Sequence, residues 1–288
     1  MNALEIKNLT KSYPGFKLDN LTLALPSGCI MGLIGENGAG KSTTIKLILD
    51  MIHKDSGSIT ILGKDNTDSI ELTKEDIGVV MDEVGIPECL TVKQVGNVMK
   101  HTFRNWDDTE YTRLVQKLAL PDKKQFKEFS RGMKMKLQIA VALSHNAKLL
   151  VLDEATSGLD PVVRNECLDM FMEYLQDENH SILMSSHITS DLEKVCDSVT
   201  FIHKGKLLVT GYKDDILESH GVIKCKKSEY KDMDPADFIS ARLSDYGANV
   251  MVKDKSLCAR KYSGLAMDAT TLEEIMLYYV NAGKKEWS

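Results

Sequence analysis

The run Gly35-Glu36-Asn37-Gly38-Ala39-Gly40-Lys41-Ser42 limits what this chain can fold into more than any other feature. It matches the spacing G-x-x-x-x-G-K-[ST], and it has the flanks that the spacing needs. Before it lies CIMGLIG, nearly all apolar, which suits a strand buried on both faces of a parallel sheet. After it lies KSTTIKLILDMI, whose Ile45, Ile48, Leu49 and Ile52 share one helical face. Glycines let the backbone turn its N–H groups inward around a β-phosphate. The helix N-terminus adds partial positive charge. Lys41 is expected to reach the β- and γ-phosphates and Ser42 to offer its hydroxyl to Mg²⁺. Asn37, Gly38, Ala39, Gly40 and Thr43 complete the expected cradle. A glycine-rich turn with a chance Lys-Ser pair would need neither the strand nor the helix.

A second phosphate-site element is LLVLDE, Leu149 to Glu154. An apolar strand ending in aspartate holds a carboxylate rigidly near a metal, so Asp153 is expected to act on Mg²⁺, through water. Glu154, one residue on, is placed to polarise a water for attack on a γ-phosphate. A lone Asp-Glu at a strand end is commonly a solvent contact; pairing with the phosphate cradle favours the catalytic reading.

LEIKNL and NLTLAL alternate apolar and polar residues, as half-buried antiparallel strands do. SITIL, IGVVM, LLVLD, SILMSS and SVTFIH read as buried strands, and helices separate several of them. That alternation predicts an α/β fold with a parallel core. From Thr91 to Asn146 the chain reads as helices instead: VKQVGNVMK, DTEYTRLVQKLAL and RGMKMKLQIAVALS. This stretch carries more basic than acidic residues, which fits either a solvated face or a docking face for an acidic partner surface. After Gly221 the pattern restarts, with GVIKCKK and ANVMVKD as strands and DPADFISARLSDYG and TLEEIMLYYVNAG as helices. The expected organisation is residues 1–220 as the main domain, with a helical subdomain over 91–146, and 221–288 as a small α/β appendage near the lower size limit for an independent core.

Composition removes other classes. A net charge of -6 and a pI near 5.7 argue against a nucleic-acid coat protein, which needs basic excess. No stretch approaches the roughly 18–20 apolar residues of a membrane span; Asn20 to Gly35 is broken by Pro26, Ser27 and Gly28. MNALEIKNLT has Glu5 and Lys7 where a signal peptide would be apolar, so a cytosolic chain is expected. The 6 cysteines are scattered without a C-x-x-C pair, and reduced, mostly packed thiols are expected.

Further motifs stand in a telling order. Tyr13 lies in KSYPG ahead of the cradle, Phe129-Ser130-Arg131-Gly132-Met133 shortly before LLVLDE, Ser157-Gly158-Leu159-Asp160 after it, and His187 in SSHITSDLEKVCD. This order resembles the ABC ATPase family over residues 2–218. The resemblance implies a P-loop NTPase core with an antiparallel β subdomain and a helical subdomain, ATP with Mg²⁺ as ligands, and a second ATPase subunit, homodimeric by expectation, that closes on ATP. It implies that Tyr13 stacks on adenine and that Ser130 and Gly132 meet the γ-phosphate held by the opposite subunit. His187 would bond the γ-phosphate and attacking water, and Asp160 would organise the dimer interface.

The chain departs from the family pattern in three places. Phe129, Arg131 and Met133 replace three residues of the usual signature. Asp82 stands where a Mg²⁺-contacting glutamine is usual; its carboxylate can still ligate magnesium but is shorter and charged. Ala155 replaces the usual proline. The run from Ser130 to Pro161 and the tail TLEEIMLYYV are similar to ATPase subunits of bacterial drug and peptide exporters. These pair with separate membrane subunits, which implies a separate transmembrane permease as partner, no nucleic acid, and a location on the cytoplasmic face of the membrane. A soluble ABC ATPase acting on DNA or the ribosome, and a regulatory ATP-sensing subunit, are the alternatives.

Overall fold

The computed structural model describes residues 1–67, 74–81, 85–284 and 286–287. Strands β1 (Asn2–Tyr13) and β2 (Phe16–Pro26) form an antiparallel hairpin, with Tyr13 opposite Phe16 at its turn. Strand β3 (Ile30–Ile34) follows, buried along its whole length, and leads into the glycine loop and the helix Lys41–Ile48. Strands β4 (Ser56–Ile61) and β5 (Lys64–Asp65) then return to β1, giving the order β2-β1-β4-β5. SITIL, read with the buried strands of the parallel core, thus belongs to the antiparallel sheet: β4 has one covered face and an exposed start, and it pairs with β1. The helix stops at Ile48, short of the expected Ile52. Asp50 takes a left-handed φ of 51°, and Asn66 Nδ2 donates to the freed carbonyls of Leu47 and Ile48 at 2.8 and 3.1 Å.

The second sheet adds β6 (Ile77–Val80), β7 (Leu149–Asp153), β8 (Ser181–Ser186), β9 (Ser198–His203) and β10 (Lys206–Tyr212), in the order β10-β9-β3-β8-β7-β6. Its pairs are parallel from β9 to β6, and β10 closes one edge antiparallel. Alternate residues serve two cores. Met31, Leu33, Val151 and Leu183 pack toward the antiparallel sheet and the Lys41–Ile48 helix. Ile34, Leu150, Leu152 and Met184 face the other helices. A strand covered on both faces has no polar side to show, which is why these segments read as unbroken apolar runs. Order and register put the ends of β3, β7 and β8 side by side: Ile34 lies opposite Ser186, and Asp153 opposite Ser185.

Three helices fill the middle: Val92–Thr102, Asp108–Lys117 and Arg131–Leu143, with Thr91, Asp107 and Ser130 as their N-caps. Gly96 is required where the first two cross, because a Cβ there would lie 2.5 Å from the Tyr111 ring. The hydroxyl of Tyr111 donates to Val92 O at 2.8 Å.

Beyond residue 220, β11 (Gly221–Cys225), β12 (Phe238–Ser244), β13 (Gly247–Val252), β14 (Ala266–Asp268) and β15 (Glu286–Trp287) make a sheet in the order β14-β11-β13-β12-β15. DPADFISARLSDYG, expected as a helix, contributes β12. Its short apolar run suits either form, and tertiary pairing decides: Ser244 meets Gly247 across a tight turn, and Ser240 and Ala241 are fully buried. TLEEIMLYYVNAG does form a helix, Leu272–Val280, which packs on the helix Thr189–Val195; Leu272 N–H donates to Glu193 Oε1 at 2.6 Å. Cys167, Cys196 and Cys258 are buried free thiols, and Cys89 is exposed. Among the described residues no helix is long and apolar enough to cross a membrane.

Candidate nucleotide site

The loops after β3, β7 and β8 meet at the carboxyl ends of adjacent parallel strands, where open α/β sheets place their ligand crevices. There a pocket of about 470 Å³ is lined by Phe16, Glu36, Asn37, Gly38, Gly40, Lys41, Ser42, Thr43, Asp153 and Glu154. Only a glycine fits at position 35, since a Cβ would stand 2.4 Å from Ile202 O. Gly40 caps the helix Lys41–Ile48 with φ 118°, a conformation that L side chains rarely adopt, and brings no side chain to that cap. The first-turn N–H groups of the helix therefore remain for a ligand, at the positive end of the helix dipole. Asn37 and Gly38 are exposed in the pocket; Ala39 is buried beneath it, its N–H on Glu36 O at 3.0 Å.

Lys41 is 5 % exposed. Its Nζ donates to Gly35 O at 2.7 Å and stands 3.2 Å from Glu154 Oε1. That contact is ionic without hydrogen-bond geometry, so Oε1 is a buried carboxylate oxygen with no hydrogen bond. The other oxygen, Oε2, lies 2.6 Å from His187 Nδ1; an ionised carboxylate can only accept, so the ring nitrogen donates. Glu154 adopts φ 53°, a left-handed conformation for a side-chain-bearing residue. Such strain costs about 1–3 kcal/mol and collects at functional sites. Two bonds hold it: Glu154 N–H donates to Ser185 O at 3.2 Å and to Ser185 Oγ at 3.1 Å. The Ser185 hydroxyl in turn donates to Asp153 Oδ1 at 2.6 Å, fixing both acidic residues from the neighbouring strand. Ser42, exposed in the first helical turn, and Asp153 offer a hydroxyl and a carboxylate oxygen to the same pocket, a donor set that suits a hard cation.

Lys41, Ser42, Thr43, Asp153, Glu154 and His187 are thus brought together. Ser130, Gly132 and Asp160 are not among the pocket's lining residues. Ser130 is exposed and accepts from Met133 N–H at 3.3 Å; Asp160 accepts from the N–H groups of Val162 and Val163, both at 3.1 Å. The two loops pack on each other, since a Cβ on Gly132 would meet Leu159 at 3.3 Å and one on Gly158 would meet Arg131 at 3.4 Å. Tyr13 is 42 % exposed, with Lys11 Nζ 5.5 Å from its ring centroid, and its hairpin partner Phe16 is the aromatic residue that lines the pocket. Asp82 lies outside the described residues. Phe16 and Ser185 were not among the expected site residues. A hydroxyl inside the apolar run SILMSS is the one sequence signal for Ser185; for Phe16 there is only its nearness to Tyr13.

The ABC transporter family matches residues 18–157. The lantibiotic transport ATP-binding protein SrtF of Streptococcus pyogenes is 37 % identical over 212 residues, covering 72 % of this chain and 89 % of SrtF. The bacitracin transport ATP-binding protein BcrA of Bacillus licheniformis is 35 % identical, covering 71 % and 68 %. Among solved structures, an ATP binding subunit of an ABC transporter superposes with a TM-score of 0.68 at 30 % identity, over 74 % of this chain and 91 % of that one.

Proposed function

Because the chain belongs to the ABC transporter ATP-binding proteins, we propose that it powers export of an antibiotic or amphipathic peptide through a separate membrane-spanning partner. As a family member it binds ATP and hydrolyses it. The names of SrtF and BcrA support a peptide cargo and favour transport over action on DNA or the ribosome.

The observation that carries the catalytic reading is the Lys41–Glu154–His187 constellation beside the glycine loop. Arriving phosphates draw the Lys41 ammonium away from Gly35 O and Glu154. That frees Oε1, which has no hydrogen bond, to accept a proton from the attacking water. His187 holds Oε2 and keeps the carboxylate aimed. Ser42 and Asp153 would hold Mg²⁺, which neutralises phosphate charge when bound. Among the described residues no three His, Cys, Asp or Glu side chains stand so that they could hold a metal ion together, and a magnesium bound mainly by one carboxylate, a hydroxyl, waters and phosphates needs none. Asp82 remains the proposed further ligand. Tyr13, beside Phe16 at the hairpin end, would supply the adenine shelf. Ser130, Gly132 and Asp160 do not line their own chain's pocket and would serve the nucleotide of a second copy.

The partner reading rests on a largely apolar groove of about 440 Å³ between the helix Lys41–Ile48 and the helical region, lined by Leu49, Met51, Met81, Met99 and Phe103 among others. Met51 is 58 % exposed at its rim. A helix of the membrane subunit, lying on the cytoplasmic face, would fill it, next to Met81 where the chain runs on to Asp82. Cell fractionation tests this: Met99→Glu should release the chain from native membranes while leaving ATP affinity unchanged. Undiminished membrane association would refute the docking site.

Residues 1–220 would form the ATPase unit, with 91–146 as its helical part. Residues 221–288 would be an accessory unit, tied to the ATPase through Glu193 and the helix Leu272–Val280.

A further inference from the structure

The catalytic reading needs Glu154 and His187 to keep a fixed separation, although they stand on different loops after different strands. We propose that Thr156 and Asp191 are positioning residues for this pair, their hydrogen bond tying the chain that follows Glu154 to the chain that follows His187. The inference rests on the proposed roles of those two residues.

Thr156 lies two residues beyond Glu154 and is fully buried; Asp191 lies four beyond His187, in the first turn of the helix Thr189–Val195, and is 2 % exposed. The Thr156 hydroxyl donates to Asp191 Oδ2 at 2.8 Å. A carboxylate so deeply buried needs compensation, and folding elsewhere would be better served by an apolar residue. The compensation is partial. Arg164 Nε is 3.8 Å from the same oxygen, too far for a hydrogen bond, and makes none. Arg164 reaches Leu159 O instead, at 3.2 Å. Asp191 therefore leans on the threonine hydroxyl, and that bond spans the gap between the two catalytic loops. Around it, Ile188 N–H donates to Ser186 Oγ at 2.9 Å and Glu154 N–H to Ser185, so each loop is also anchored to β8. The Thr156–Asp191 bond closes this ring on the far side of the 2.6 Å Glu154–His187 contact, nearer to it than the Lys194–Asn165 bond between the two helices that follow.

Basal ATPase activity and fluorescent-nucleotide binding of the full chain test this with Thr156→Val, which keeps shape and removes the donor. Turnover should fall about 10-fold or more with ATP affinity unchanged, and Thr156→Ser should restore it. In a His187→Ala background Thr156→Val should cause no further loss, because both act through one contact. Wild-type turnover in Thr156→Val, or a full multiplicative loss on top of His187→Ala, would overturn the proposal. If circular dichroism finds Thr156→Val unfolded, Thr156→Cys, a weak donor of similar size, gives the same reading: reduced turnover supports the brace and wild-type turnover overturns it. Glu154→Gln is assayed alongside. Its retention of wild-type turnover would sink the catalytic reading itself, whereas its loss beside an active Thr156→Val sinks only the positioning.

Discussion

Lys41→Met keeps much of the length of the side chain and removes its charge, which makes it a sharp probe of how the pocket manages electrostatics. In the free chain Lys41 Nζ stands 3.2 Å from Glu154 Oε1. At an effective dielectric near 20 that attraction is about 5 kcal/mol, most of it offset by the desolvation of both groups. Taking away one partner strands the other charge, which for buried pairs costs about 3–5 kcal/mol; because His187 still holds Glu154, the free protein should lose stability at the low end of that range. Nucleotide binding should suffer more. A hydrogen bond to a charged group contributes about 1.5–3 kcal/mol, and Lys41 is expected to make two with the phosphates, so roughly 3–6 kcal/mol is lost, or about 10²–10⁴-fold in affinity. Titration with a fluorescent ATP analogue measures this, with thermal unfolding of the free variant as the folding control. Affinity within about threefold of wild type in a folded variant would refute the assignment of Lys41 to the phosphates.

Other expectations follow from single contacts. Asn66→Ala strips both donors from the carbonyls that end the phosphate-loop helix, at about 1–3 kcal/mol, and should lower the unfolding temperature by several degrees; an unchanged melting curve would contradict that cap. Burial holds the imidazoles of His145 and His220 below the ordinary histidine value. The unfolded chain then takes up protons first as pH falls past about 6.5, so their contribution is complete above that pH and is lost below it. The unfolding temperature should drop between pH 7.5 and 5.5, and His145→Gln should flatten the drop; a variant with the parent's slope would clear His145 of the effect.

Much of the site was legible before any coordinates because its chemistry is carried by short spacings. The glycine loop, Lys41, Ser42, Asp153 and Glu154 each sit beside a buried strand, and the strand announces itself as an unbroken apolar run. Contacts set by sheet order were not legible. Ser185 reaches Asp153 only because β8 lies beside β7, and Asp191 reaches Thr156 across 35 residues of chain. Phe16 rather than Tyr13 lines the pocket, and the sequence offers nothing that separates these two rings at the end of one hairpin. β12 was misread because its residues fit a helix locally, and the pairing with β13 that overrides this is visible only in the fold. The apolar groove gathers residues from five separate segments, so no window of sequence displays it.

The central claim is that Glu154 takes the proton from the water that attacks ATP, and Glu154→Gln tests it with the least disturbance of shape. The variant should bind ATP at least as tightly as the parent chain, since Lys41 is released from its ionic contact, while steady-state hydrolysis falls on the order of 10²-fold or more. Hydrolysis at the parent rate, with binding intact, would contradict the account.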